Sequence, residues 1–171
     1  MEKDPKAVGN AIHGAMQYIR YENCGTEESV GMEIERLRQE GFLSKEQADM
    51  VDCETIARFF ETDIGRKLSS GQTCLREFKF SILDEGSHYS PDLAGEQVLL
   101  QGVVDCALLE QDRITILDFK TDRVTEETAV KAVERYRPQL ETYAEALERI
   151  YELPIKETLL YFFRLNRFYE V

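Results

Sequence analysis

Two apolar runs joined by a short polar turn, each carrying an aspartate, constrain this chain more than any other feature. Residues 98–109 and 114–120 have the make-up of strands, and Glu110-Gln111-Asp112 between them reads as a reversal. A connection that short pairs its flanks as an antiparallel hairpin. Gly102-Val103-Val104-Asp105 lies on the first run, and Ile116-Leu117-Asp118-Phe119-Lys120 closes the second. Alternate side chains of a strand share a face. Asp118 and Lys120 therefore project together, Phe119 points away, and hairpin pairing brings Asp105 close to both. Two acids and a lysine at one sheet edge make a site for a hard divalent cation beside a fixed positive charge. That combination suits hydrolysis of a phosphodiester.

The other periodicities predict an α/β frame around this hairpin. Residues 8–20 read as a helix with Val8, Ile12, Ala15 and Ile19 as its apolar stripe. A turn around Gly25 precedes a second helix over 29–39, ended near Gly41. Ser44 and Gln47 form a capping box for a third. This third helix carries Cys53, Ile56, Ala57, Phe60 and Ile64 and stops before Gly71. The period then shortens: Phe78, Phe80 and Ile82 alternate with polar residues, as in a half-buried strand. Residues 84–95 read as a loop. Thr125 caps a helix to about Tyr136, and Pro138 opens a separate one bearing Leu140, Tyr143, Ala144, Leu147 and Tyr151. Residues 158–165 and 168–171 close the chain as strands. The expectation is a mixed central sheet flanked by helices. The 171 residues suit one domain, helical over about 1–70, with the sheet and its flanking helices over about 71–171.

Several classes are set aside. No Gly-x-x-x-x-Gly-Lys-Ser/Thr loop is present, so the sequence offers no ATP site of that type. The four cysteines, at 24, 53, 74 and 106, have neither Cys-x-x-Cys spacing nor a tight iron–sulfur run. They read as reduced structural thiols, no iron–sulfur cluster is expected, and Cys106 should face away from Asp105. No apolar stretch reaches the length of a membrane span and the first residues lack a basic-then-apolar leader, so a cytoplasmic location is the default expectation. A net charge of −12 counts against a self-sufficient nucleic-acid binder, because phosphate contacts need Lys or Arg.

Around the two aspartates stand further candidates, each with a plainer alternative. Lys120 can orient a nucleophile or offset charge on phosphoryl oxygens; alternatively it is a surface lysine paired with Asp118 or Asp122. Glu77 can add a metal ligand, or it is a solvent-facing strand residue. His13, at the edge of the first apolar stripe, can complete a metal site or be structural. Gln139 and Tyr143 lie one helical turn apart and can brace the site or touch a substrate strand, though Tyr143 also has the spacing of a core residue. Arg76, Arg135 and Arg137 are the nearby cations able to touch a phosphate backbone.

Together these residues resemble the RecB-type branch of the PD-(D/E)XK nuclease superfamily. The paired segments Gly102-Val103-Val104-Asp105 and Ile116-Leu117-Asp118-Phe119-Lys120-Thr121-Asp122 carry the likeness. So do Gly9-Asn10-Ala11-Ile12-His13, Arg76-Glu77-Phe78-Lys79-Phe80 and Gln139-Leu140-Glu141-Thr142-Tyr143. Within that branch the chain is similar to the nuclease domains of AddA-type helicase–nucleases. The resemblance implies a restriction-endonuclease-like core. It implies His13, Asp105 and Asp118 as ligands of Mg²⁺ or Mn²⁺, Lys120 as the catalytic lysine, Glu77 as an acidic site residue, and Gln139 and Tyr143 as supports. It further implies a longer protein in which a motor feeds single-stranded DNA to this domain, an AddB-like partner subunit, 3′-to-5′ degradation and a role at double-strand breaks. Delivery by a motor would reconcile an acidic domain with a polyanionic substrate. The competing expectation is a non-catalytic module that docks or steers DNA; a third is a hydrolase of small phosphoesters.

Overall fold

A computed structural model describes residues 4–171. Five strands form one mixed sheet in the order β1-β2-β3-β4-β5: β1 (Cys74–Glu85), β2 (Gln97–Leu109), β3 (Ile114–Lys120), β4 (Ile155–Phe162) and β5 (Arg167–Glu170). The hairpin is as expected, with Cys106 opposite Leu117 and Leu109 opposite Ile114. β3 and β4 run parallel, joined across the sheet by α6 (Glu126–Tyr151). That pairing sets Ile114 beside Ile155 and Lys120 beside Phe162. The fourth strand therefore starts and ends earlier than its apolar pattern over 158–165 suggested.

Helices cover both faces. α1 (Pro5–Tyr18), α2 (Glu27–Gln39), α3 (Lys45–Ala48), α4 (Cys53–Phe60) and α5 (Asp63–Ser69) form a layer on one side. Ile12, Ala15, Met16, Leu37, Phe59 and Phe60 from this layer pack against Cys106, Leu117, Phe119 and Tyr161 of the sheet. Cys106 thus faces the helical layer, away from Asp105. On the other face α6 lays Tyr143, Ala146 and Leu147 on Phe80, Val104, Ile114 and Ile116, and Val133 and Leu140 on Leu160 and Phe162.

Two helix expectations are corrected. The single helix foreseen after Ser44 is three pieces. The Ser44–Gln47 capping box forms, but Asp52 accepts from the amides of Glu54 and Thr55, and Thr62 from that of Gly65, so each starts a new helix. Conversely, the two helices foreseen on either side of Pro138 are one, with Pro138 inside. Pro138 and Glu134 are both exposed, so the helical hydrogen bond that proline cannot donate is lost on the water side, where the Glu134 carbonyl can be solvated. Of residues 84–95, the first two extend β1 and the rest hold two short 3₁₀ turns. No helix among the described residues is long and apolar enough to cross a membrane.

Candidate active site

The site lies where β1 and β2 change phase. Leu75 and Phe78 both pack towards α6, although an unbroken strand would send them to opposite faces; Val104 and Ala107 do the same across the ladder. The register steps from Arg76–Cys106 to Phe78–Val104, leaving Glu77 and Asp105 as the pivots between them. Glu77 carries φ +47°, a conformation that costs a non-glycine residue on the order of 1–3 kcal/mol. Beyond Cys106–Leu117 the β2–β3 ladder ends. There Asp105 Oδ2 accepts the Phe119 amide at 2.8 Å, so a carboxylate takes over from the backbone ladder.

α1 passes over this opening. Its Gly9 approaches the exit of β3 so closely that a Cβ would stand 2.7 Å from Thr121 Oγ1. One turn further along, His13 Nδ1 comes within 3.6 Å of Asp105 Oδ2. Ligand atoms of His13, Glu77 and Asp105 all lie within 4.8 Å of one another. Asp118, expected as a ligand with His13 and Asp105, stands outside this group on the neighbouring strand and is engaged by Lys120. The ammonium is 2.6 Å from Asp118 Oδ2, an ion pair that occupies this buried oxygen.

The electrostatics follow from crowding acids under partial burial. Burial first, and then the charge of Asp118, pushes the Asp105 carboxyl up to about 8. Glu77 is raised by burial, with Lys79 opposing and Asp118 adding. Burial lowers His13 below its usual 6.5 against the pull of Asp118, so its imidazole is neutral and able to ligate at pH 7. Two carboxylates and one imidazole converge, with the Asp118–Lys120 ion pair beside them. These residues fit a divalent cation of the Mg²⁺ or Mn²⁺ kind, which would relieve the acids' repulsion.

The remaining candidates divide. Tyr143 packs edge-on to Phe80 at 5.8 Å and is buried, while its hydroxyl accepts from Gln139 Nε2 at 2.6 Å and its ring closes on Gly102 of β2. It is both a core residue and a brace on β2 three positions from Asp105. Arg76 turns the other way: its guanidinium lies 3.3 Å over the Tyr21 ring and donates to Ile19 O at 2.5 Å. It ties β1 to the end of α1 and is not presented to a substrate strand, because the phase change comes just after it. Arg137 pairs with Glu134 at 2.7 Å on the outer side of α6.

Tyr136 was not foreseen. Lys120 Nζ sits 3.7 Å over its ring, and its hydroxyl donates to Asp122 at 2.9 Å. Lys120 is thus held between the Asp118 carboxylate and an aromatic face. Tyr136, Gln139 and Tyr143 follow i, i+3, i+7 spacing, one helical stripe. Reading a break at Pro138 hid it.

The sequence profile of the PD-(D/E)XK nuclease superfamily matches residues 1–168. The AddA component of an ATP-dependent helicase/nuclease from Bacillus cereus (strain Q1) is 34% identical over 168 residues, covering 92% of this chain and 14% of the relative. The protein of that name from Syntrophomonas wolfei is 35% identical over 164 residues, covering 95% of this chain and 13% of the relative. That from Oceanobacillus iheyensis is 33% identical over 178 residues, covering 100% and 14%. The chain spans about one seventh of the length of the curated relatives it matches.

Proposed function

Because the chain belongs to the PD-(D/E)XK nuclease superfamily, we propose that it is the metal-dependent nuclease module of a longer helicase–nuclease and cuts single-stranded DNA. The observation that carries this reading is the convergence of His13, Glu77 and Asp105 next to the Asp118–Lys120 pair at the open end of the β2–β3 hairpin.

In this reading His13, Glu77 and Asp105 would hold the cation, with the Asp118–Lys120 ion pair beside them. When bound, the cation supplies positive charge at the scissile phosphate and makes an attacking water more acidic. Lys120 places a second positive charge against the oxygens on which negative charge grows in the transition state. Asp118 and the Tyr136 ring fix that ammonium in advance, so little reorganisation remains when the substrate arrives. Gln139 and Tyr143 hold β2 at the depth that keeps Asp105 in place.

The relatives are named as the AddA component of an ATP-dependent helicase/nuclease. That name supports a setting in which a motor elsewhere in a longer protein delivers the strand and an AddB-like partner completes the complex. Degradation would run 3′ to 5′ with polarity imposed by the motor, during processing of double-strand breaks.

The test is cleavage of end-labelled single-stranded DNA by the chain and by Lys120→Ala, in Mg²⁺, Mn²⁺ or EDTA. The expected result is metal-dependent cutting that falls at least about a hundredfold in the variant, with Mn²⁺ affinity by calorimetry nearly unchanged. Undiminished cutting by Lys120→Ala would remove the mechanism.

A further inference from the structure

A net charge of −12 leaves this chain few surfaces that tolerate a polyanion. Five surface clefts among the described residues differ in one respect. Four are lined by acids that equal or outnumber the cations. The fifth, of about 350 Å³, sets Arg123, Lys131 and Arg135 against the single carboxylate of Asp122. That carboxylate is already engaged, accepting the Tyr136 hydroxyl at 2.9 Å and Arg135 Nη2 at 3.1 Å. Lys131 and Arg135 lie one turn apart on α6 and line the same cleft.

This cleft adjoins the active site through one aromatic ring. Lys120 sits over the Tyr136 ring, and the hydroxyl of that ring meets Asp122 at the cleft wall. A strand with one phosphate at Lys120 meets this basic cleft just past the Tyr136 ring. Its lining includes no aromatic ring on which a base could stack.

We propose that the cleft is a second phosphate seat, which holds a backbone phosphate neighbouring the one under attack, with Lys131, Arg135 and Arg123 as its cations. It reads charge and backbone, not base identity. The seat rests on the reading of the chain as a nuclease.

The experiment is equilibrium binding of a short fluorescent oligo(dT) in EDTA, where cleavage plays no part, over a range of salt. Lys131→Glu is compared with wild type and with Lys156→Glu. The latter makes the same charge change at the opposite end of the sheet, beside Ile155 at the start of β4. Lys131 is exposed, and thermal melts establish that each variant is folded. The expected result is a loss of roughly tenfold in affinity for Lys131→Glu, with the slope of log affinity against log salt reduced by about 0.7; Lys156→Glu binds close to wild type. Equal weakening by both variants, or no binding by the wild type, would overturn the seat. Cleavage is scored separately. A wild type that binds through Lys131 but never cuts keeps the seat and removes the nuclease reading. A wild type that cuts while Lys131→Glu binds normally does the reverse.

Discussion

Burial and the charge of Asp118 raise the Asp105 carboxyl to about 8, against 3.8 for an ordinary aspartate, and this links the site to folding. Between those values the folded, metal-free chain holds a proton that the unfolded chain releases. The contribution of Asp105 to stability is therefore complete below about pH 4 and is lost as pH rises through about 8. A divalent cation reverses the trend, since it binds the ionised carboxylate. Asp105→Asn separates the effects: it carries no charge at pH 8, and its amide oxygen can still accept from the Phe119 amide. Without metal this variant should melt above wild type at pH 8 and by a much smaller margin at pH 5. A difference of about 2–4 °C is expected for each kcal/mol of relieved charge, and Mn²⁺ should no longer raise its melting temperature. Thermal unfolding with EDTA or Mn²⁺ at the two pH values measures all of this. An Asn variant that melts below wild type at pH 8 without metal would mean that the Asp105 charge is already stabilised by the fold alone.

At the scale of elements, the seating of α1 on the exit of β3 brings His13 to Asp105, and Gly9 permits that seating. A valine there would push its branches into Thr121, one residue after Lys120, where even a Cβ stands 2.7 Å from Oγ1. Gly9→Val should lower Mn²⁺ affinity several-fold by calorimetry, while Gly31→Ala, which meets nothing within 4 Å, leaves it unchanged. Equal affinity in Gly9→Val would show that α1 can shift without moving His13 off the site. The same elements show what periodicity conveys. The hairpin, the capping box at Ser44, the cap at Thr125 and the acids Asp105 and Asp118 were legible because each depends on neighbours in sequence. The breaks at Asp52 and Thr62 were less so, since a polar side chain inside an apolar stripe reads alike whether it caps or faces water. Pro138 misled for the opposite reason: its cost depends on which side of α6 meets solvent, and the sheet decides that. The phase change at Glu77 and Asp105 leaves no trace in residue type, because both strands shift together and their register survives. Yet it is that shift which brings Glu77 to His13 and Asp105, and it explains why Glu77 could be either a ligand or a surface acid when read from alternation alone.

For the whole molecule the governing quantity is charge. The chain carries −12, and its acids Glu77, Asp105, Asp118 and Asp122 crowd the place a phosphate must enter. A bound cation offsets part of this, as does the basic cleft beside Lys120, but the surface as a whole repels DNA. An isolated chain of this kind should therefore be limited by encounter, with cleavage proportional to DNA concentration far into the micromolar range. The chain spans about one seventh of its relatives' length, so attached machinery could supply the strand at high effective concentration without adding any group to the site. A fusion tests this directly: joining the chain through a flexible linker to a sequence-nonspecific single-strand-binding module raises the local concentration of DNA and nothing else. The fusion should raise kcat/KM by at least about a hundredfold and leave the rate at saturating DNA as it was, and Lys120→Ala within the fusion should remain inactive. A fusion whose kcat/KM stays at the level of the free chain would show that delivery is not what the chain lacks. The charge of the surface would then have to be explained by something other than its dependence on a motor.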